Sequence, residues 1–201
     1  LKDYAYICIG LFKSNRMKTG WIIVCMWLLA GGLWAKDLNK AFQLIPQPQA
    51  IEVHEGETFL YHEVKYILTE DDTPMPVLGD LLDALPRSER KGIGVYLSLA
   101  QQDMPDSPEG YVLTVGAKQI TLRARTEAGL FYGCQTLEQL MEDSRDFGQG
   151  IPPMTITDYP AIAYRAIHLD TKHHLDRMEY YYRLVDRLAS YKINAIIWEL
   201  E

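Results

Sequence analysis

The feature that most constrains the fold is a change in apolar period near residue 125. In EGYVLTVGAKQITLRAR, residues 109–125, apolar residues alternate on either side of Gly116-Ala117-Lys118, which predicts a hairpin with one buried face. In TEAGLFYGCQTLEQLMED, residues 126–143, apolar residues recur about every 3.6 positions, which predicts a helix capped by Thr126. A hairpin followed by a helix that covers it is typical of a small α+β layer.

Further strands and a short helix are predicted before this hairpin. Apolar runs at 64–68 and 93–99 indicate strands, and the prolines within 43–56 favour an edge strand there. The spacing of apolar residues over 76–85 predicts a helix. We therefore expect residues 36–150 to form an α+β domain in which an antiparallel sheet is covered by helices.

The chain has three cysteines, of which only Cys134 follows residue 35. Cys134 falls on the apolar stripe of the predicted helix, so we interpret it as a core residue. A reactive thiol is the alternative, and it would need an electropositive and accessible setting.

The N-terminal segment has the composition of an export signal. Met17 is followed by Lys18, by an apolar run of 14 residues over 21–34, and by small residues, so 17–35 is predicted to be a signal peptide. The run is shorter than the roughly 20 residues of a membrane-spanning helix. We expect residues 1–16 to be upstream, non-native sequence. The predicted location is periplasmic or extracellular, without a stable membrane span.

The balance of charge argues against nucleic acid as a partner. The chain carries 20 Lys and Arg against 27 Asp and Glu, a net charge of −7. Without residues 1–35, which hold four of the basic and one of the acidic residues, the net charge is −10. Nucleic-acid binding depends on contacts of Lys and Arg with phosphates. No glycine-rich phosphate loop or cysteine cluster is present, so neither a nucleotide cofactor nor structural zinc is expected.

The residues after a predicted linker at 144–153 have a different character. Strands are predicted at 164–170 and 193–200, separated by a helix for which Asp176 is the expected cap. Strand, helix and strand with apolar strands are typical of the βαβ unit of a parallel sheet. The apolar stripe expected to be buried on this helix consists of Met178, Tyr181, Val185 and Leu188.

Two stretches together resemble glycoside hydrolase family 20, the β-N-acetylhexosaminidases. They are EGYVLTVGAKQITLRARTEAGLFYGCQTLEQLM and ITDYPAIAYRAIHLDTKHHLDRMEYYYRLVDRLASYKIN. The first is similar to the small N-terminal domain of that family, and the second to the opening of its catalytic (β/α)8 TIM barrel. The resemblance implies that 151–201 is the start of such a barrel, and WELE at 198–201 looks like the hexosaminidase D type subgroup.

The resemblance also implies a role for Arg165. It matches the family arginine that hydrogen-bonds ring hydroxyls of a terminal N-acetylhexosamine, a task suited to the fixed fork of a guanidinium. From the residues alone, a barrel arginine paired with a carboxylate such as Asp170 is equally open. The family commonly has glycine where Ala166 stands and arginine where His173 stands.

Two acidic residues end the chain and are candidates for the sugar pocket. Glu199 and Glu201 would point to the same face of a strand, at the carboxyl end where barrel enzymes place site residues. Solvated or ion-paired carboxylates are the plain alternative. The catalytic Asp-Glu pair of the family is expected beyond Glu201. No metal site is expected at His168, His173 or His174, because neighbouring rings diverge and no partner cluster is visible.

The resemblance implies removal of terminal β-linked N-acetylhexosamine from glycans by substrate-assisted retention, without a cofactor. Because three barrel elements cannot close a ring of eight strands, we expect this chain alone to be inactive and to be poorly packed after about residue 158. Two alternatives remain open. The chain could be a secreted carbohydrate-binding or interaction module, or the start of a family 84 or 67 glycosidase that shares the helper domain.

Overall fold

A computed structural model describes residues 42–70, 72–171 and 175–199. The predicted signal peptide and the segment before it, together with His173, His174 and Glu201, lie outside these residues. The elements, in chain order, are β1 (Ala50–Val53), β2 (Val64–Thr69), α1 (Asp80–Asp83), β3 (Ile93–Leu99), β4 (Tyr111–Val115), β5 (Gln119–Ala124), α2 (Glu127–Phe147), β6 (Met154–Asp158), β7 (Ala166–Asp170), α3 (Met178–Ser190) and β8 (Ala195–Glu199).

Six strands form one mixed sheet in the order β1-β6-β4-β5-β3-β2. The predicted hairpin is confirmed, because β4 and β5 pair antiparallel with Leu113 opposite Leu122. The expectation of an antiparallel sheet was wrong for β3, which runs parallel to both β2 and β5. A crossover of more than 20 residues that includes α1 joins β2 to β3, and a connection of that length permits parallel pairing.

The sheet continues past residue 150, the boundary predicted from sequence. β6 pairs antiparallel with both β1 and β4. Gly148, at φ 65°, ends α2 in the left-handed conformation that favours glycine, and a bridge between Phe59 and Ile151 turns the chain back towards the sheet. The glycine-proline segment therefore returns the chain to the same domain. The predicted edge position of β1 is confirmed.

α2 covers the sheet as its apolar period predicts. The Thr126 hydroxyl accepts a hydrogen bond from the Gly129 N–H, 3.3 Å away, so the predicted cap is confirmed. The buried stripe of α2 packs on the inner faces of β4 and β5, where Leu113 and Leu122 are fully buried. The stripe consists of Leu130, Cys134, Leu137 and Met141.

Cys134 is a fully buried core residue, as expected. Burial, aided by the nearby carboxylate of Glu138, raises the pKa of its thiol to about 12. Alkylation needs the thiolate and contact with the reagent, and burial disfavours both. We expect iodoacetamide at pH 8 to modify Cys134 more than about 100-fold more slowly in the folded chain than in guanidinium, measured by mass spectrometry of the Cys134 peptide. A native rate within tenfold of the denatured one would contradict this.

α1 is shorter than its apolar spacing predicted, spanning four residues rather than 76–85. It begins after Gly79, which has no side chain to cap it. A carboxylate from α2 takes that role: Glu138 accepts hydrogen bonds from the N–H groups of Leu81 at 2.6 Å and Leu82 at 3.0 Å. The start of α1 therefore depends on a residue 56 positions later in the chain.

β7 and β8 form a separate two-stranded parallel sheet, with α3 between them in the chain. The predicted strand–helix–strand order is therefore present. Asp176 was wrongly predicted as the helix cap: Arg177 holds that position, and the Asp176 N–H instead donates to the Tyr181 hydroxyl at 3.0 Å.

The stripe predicted on α3 is buried only in part. Tyr181 is 4% exposed, but Met178 and Val185 are 55% and 49% exposed. A sheet of two strands is too narrow to cover the whole apolar face of a helix of 13 residues.

No helix within the described ranges is both long and apolar enough to span a bilayer.

Candidate functional site

Polar and aromatic side chains gather at the carboxyl ends of β7 and β8. Asp170 and Glu199 are register partners in the last rung of the parallel pair. In open and closed α/β sheets, ligands bind at the carboxyl ends of parallel strands. We name the residues at this edge the strand-end cluster, which consists of His168, Asp170, Thr171, Trp198 and Glu199.

Hydrogen bonds fix the strand-end cluster across the two strands. The His168 Nε2 lies 3.1 Å from the Glu199 Oε2. The Thr171 hydroxyl donates to the backbone carbonyl of Glu199 at 3.0 Å and accepts from the Trp198 indole N–H at 3.1 Å. The side chains of His168 and Glu199 are 54% and 39% exposed.

Trp198 supplies an accessible aromatic surface where α3 meets the ends of the two strands. Its ring lies 5.0 Å from that of the buried Tyr181, at an angle of 41°, and the residue remains 41% exposed. Indole combines a large apolar face with one polar N–H. Because successive side chains of a strand point to opposite faces, Trp198 lies on the face of the pair that α3 covers, whereas His168 and Glu199 lie on the other face.

Arg165 lies at the opposite end of this unit, just before β7. Its guanidinium pairs with Glu109, and it donates from Nε to the Lys192 carbonyl at 2.7 Å and from Nη1 to the Ile162 carbonyl at 2.9 Å. The paired-arginine alternative therefore describes its surroundings, with Glu109 in place of Asp170. Binding of sugar hydroxyls by Arg165 stays a prediction, and the structure does not bring this residue to the strand-end cluster.

A buried polar network lies beside Arg165, and no sequence pattern predicted it, because its members are far apart in the chain. The Lys192 ammonium donates to Asp158 at 2.7 Å and to the Tyr111 hydroxyl at 2.9 Å. The Tyr111 hydroxyl also lies 2.6 Å from the Thr136 hydroxyl. Burial lowers the pKa of Lys192 although Asp158 opposes that shift, and burial raises the pKa of Tyr111.

A cavity of about 290 Å³ adjoins this network. Among the residues that line it are Tyr132, Tyr159, Ile162 and Arg165. The charged groups on its wall bond to one another, with Glu109 paired to Arg165 and Asp158 to Lys192. In the parts of the chain that the structure describes, no three His, Cys, Asp or Glu side chains are grouped to hold a metal ion.

Comparison with known proteins gives consistent matches. The family model described as glycosyl hydrolase family 20, domain 2, matches residues 41–159. The chain is 27% identical to a beta-hexosaminidase of Porphyromonas gingivalis over 92% of this chain and 27% of that protein. It is 31% identical to a beta-hexosaminidase of Vibrio furnissii over 78% of this chain and 26% of that protein.

A solved structure shares the fold. A family 20 exo-β-N-acetylglucosaminidase from Vibrio harveyi, in complex with N-acetylglucosamine, aligns with a TM-score of 0.62 and 27% identity. The alignment covers 80% of this chain and 26% of that one. The present chain thus spans about a quarter of the length of each of these three relatives.

Proposed function

This chain belongs to glycosyl hydrolase family 20, and on that basis we propose that it forms the small domain and the first strands of the catalytic barrel of a β-N-acetylhexosaminidase. The observation that carries the proposal is the order of elements. A family 20 domain over 41–159 is followed directly by β7, α3 and β8, with the two strands parallel. A (β/α)8 barrel is built from eight repeats of this strand and helix pair.

The proposed reaction is removal of a terminal β-linked N-acetylhexosamine with retention of configuration. The 2-acetamido oxygen of the sugar attacks the anomeric carbon while an acid protonates the departing glycosidic oxygen, and water then opens the cyclic intermediate. This scheme needs no nucleophile from the protein. The Vibrio harveyi relative was solved with N-acetylglucosamine, which supports this substrate class.

The strand-end cluster is the part of this chain that we assign to sugar binding. His168 and Glu199 lie on the same face of the strand pair, where they can exchange hydrogen bonds with the hydroxyls of a sugar. These residues bind and orient. We assign the catalytic acid to none of the residues that the structure describes.

We further propose that the protein is exported. Support comes from the composition of 17–35, where a lysine precedes an apolar run and small residues.

The proposal is tested first by reading the coding DNA beyond Glu201. We expect an in-frame continuation that encodes the remaining strands and helices of a barrel together with an Asp-Glu pair. An immediate stop codon would overturn the enzymatic proposal and favour a carbohydrate-binding module. A continuation with a different catalytic pattern would favour another glycosidase family that shares the small domain.

Activity provides the second test. We expect the 201-residue chain to release no 4-nitrophenolate from 4-nitrophenyl N-acetyl-β-D-glucosaminide, and the extended product to release it readily. The extended product should leave 4-nitrophenyl β-D-glucoside intact, because that substrate lacks the acetamide nucleophile. Cleavage of both substrates at similar rates would contradict the mechanism, and cleavage by the 201-residue chain would contradict the need for a complete barrel.

A further inference from the structure

The small domain contacts the strand–helix–strand unit through two polar clusters at the amino ends of β7 and β8. We name their members the junction clamp, which consists of Glu109, Asp158, Arg165, Lys192 and Asn194. Glu109 and Asp158 belong to the small domain, where they lie before β4 and at the end of β6. Arg165 and Asn194 directly precede β7 and β8, and Lys192 lies two residues before Asn194.

The first half of the junction clamp is a buried ion pair. The side chains of Lys192 and Asp158 are 8% and 10% exposed, and the Lys192 ammonium also bonds to the Tyr111 hydroxyl. Removing one partner of such a pair leaves the other charge buried and unpaired, which is far costlier than breaking a surface pair. The turn before β8 is therefore held firmly to the sheet of the small domain.

Lys192 has a backbone conformation that is unusual for a lysine. Lys192 has a φ of 58°, in the left-handed region where glycine or asparagine is usual at the end of a helix. A lysine pays a steric penalty in this conformation. Its contacts with Asp158 and Tyr111 offset that penalty, so the strained position and the buried ion pair occur together.

The second half of the junction clamp grips β7 and β8 together. Glu109 pairs with the Arg165 guanidinium and accepts from the Asn194 amide at 3.0 Å. The Asn194 side-chain oxygen in turn accepts from the Arg165 backbone N–H at 2.9 Å. A single carboxylate of the small domain thus fixes the residues that lead into both strands.

One bond joins the two halves. The Arg165 Nε donates to the Lys192 carbonyl at 2.7 Å. This bond connects the Glu109–Arg165 ion pair to the turn that carries the Lys192–Asp158 ion pair. β7 begins one residue after Arg165, and β8 begins three residues after Lys192. The two strands are paired without a break from Ala166 and Ala195 to Asp170 and Glu199, so they connect the junction clamp to the strand-end cluster.

We propose that the junction clamp positions the strand-end cluster, so that the small domain sets where Trp198 and Glu199 lie. Lys192 and Glu109 are positioning residues in this scheme. The inference rests on the proposed function for its assignment of sugar binding to the strand ends. The mechanical coupling itself is measured without any sugar.

The test uses the 201-residue chain labelled with ¹⁵N. The Trp198 indole N–H bonds to Thr171 across the strand ends, so its NMR resonance reports their arrangement. The resonance is assigned by its loss in Trp198→Phe. In Lys192→Met we expect it to shift, and we expect amide exchange in β8 to rise by about tenfold or more beyond any rise at Leu113 and Leu122.

Two comparisons separate positioning from general stability. Lys118→Met makes the same chemical change on the exposed hairpin turn, and it should leave the indole resonance and the exchange rates unchanged. Lys192→Arg retains the charge, and it should restore much of the native indole position. Glu109→Gln tests the other half of the junction clamp, and it serves as the decisive variant if Lys192→Met does not fold.

The outcomes decide the proposal. An unchanged indole resonance in both Lys192→Met and Glu109→Gln would overturn it. Exchange that rises equally in β4, β5 and β8 would also overturn it, since Lys192 would then only stabilise the whole fold. Failure of the extended product to hydrolyse an N-acetylglucosaminide would count against the proposed function, and it would leave the measured coupling in place.

Discussion

Replacing Gly129 with alanine is expected to lower the free energy of unfolding by about 3 kcal/mol. The added Cβ would overlap the carbonyl oxygen of Gly110 and lie 2.7 Å from the Cβ of Ala124. Neither atom is the end of a flexible side chain that could rotate away. The first turn of α2 would therefore have to lift from β5, and the close packing of helix on sheet would be lost.

Urea unfolding followed by circular dichroism measures this loss. The control is Ala128→Ser, at the exposed neighbouring position of the same helical turn, for which we expect a loss of about 0.5 kcal/mol or less. A loss below about 1 kcal/mol for Gly129→Ala would show that the helix tolerates a side chain here, contrary to the packing described above.

Glu138→Ala is expected to lower the free energy of unfolding by about 3 kcal/mol. The substitution removes the acceptor of two backbone N–H groups, those of Leu81 and Leu82, at the start of α1. Each unpaired buried N–H costs about 1–3 kcal/mol. Glu142→Ala, one turn later on α2, is the matched control and should cost about 0.5 kcal/mol or less.

The loss caused by Glu138→Ala should depend on pH. Burial raises the pKa of the Glu138 carboxyl above its ordinary 4.5, although the two backbone N–H groups oppose the shift. Between pH 4.5 and the raised pKa the folded chain binds more protons than the unfolded chain, so the stability contributed by Glu138 falls as pH rises. Urea unfolding at pH 4 and pH 7 should give the larger loss at pH 4. A larger loss at pH 7 would mean that the folded state favours the carboxylate.

Local periodicity was sufficient to predict the hairpin and the helix that covers it. β4, β5 and α2 each place one apolar face on the core. Thr126 caps α2 through a hydrogen bond from Gly129, only three residues away in the sequence. The direction of β3 was not predictable in this way, since alternation of apolar residues is the same in parallel and antiparallel strands. It depends instead on the crossover through α1.

The polar contacts between the small domain and the strand–helix–strand unit were also not predictable from the sequence. Asp158 and Lys192 are 34 residues apart, and Glu109 and Arg165 are 56 residues apart. No short motif encodes a pairing over such separations, and a charged residue in a sequence is by default expected to be solvated. Arg165 could be identified as a noteworthy residue, but its partner could not.

The parallel pair formed by β7 and β8 bonds to no other strand within the described part of the chain, so it has two open sides. Strands that run in the same direction could pair along either side and extend the pair as a parallel sheet. Every such neighbour would bring its own terminal residue to the rim that already carries Trp198. Each added strand would enlarge a recognition surface at this end of the sheet, while the terminal residues of β7 and β8 keep their positions.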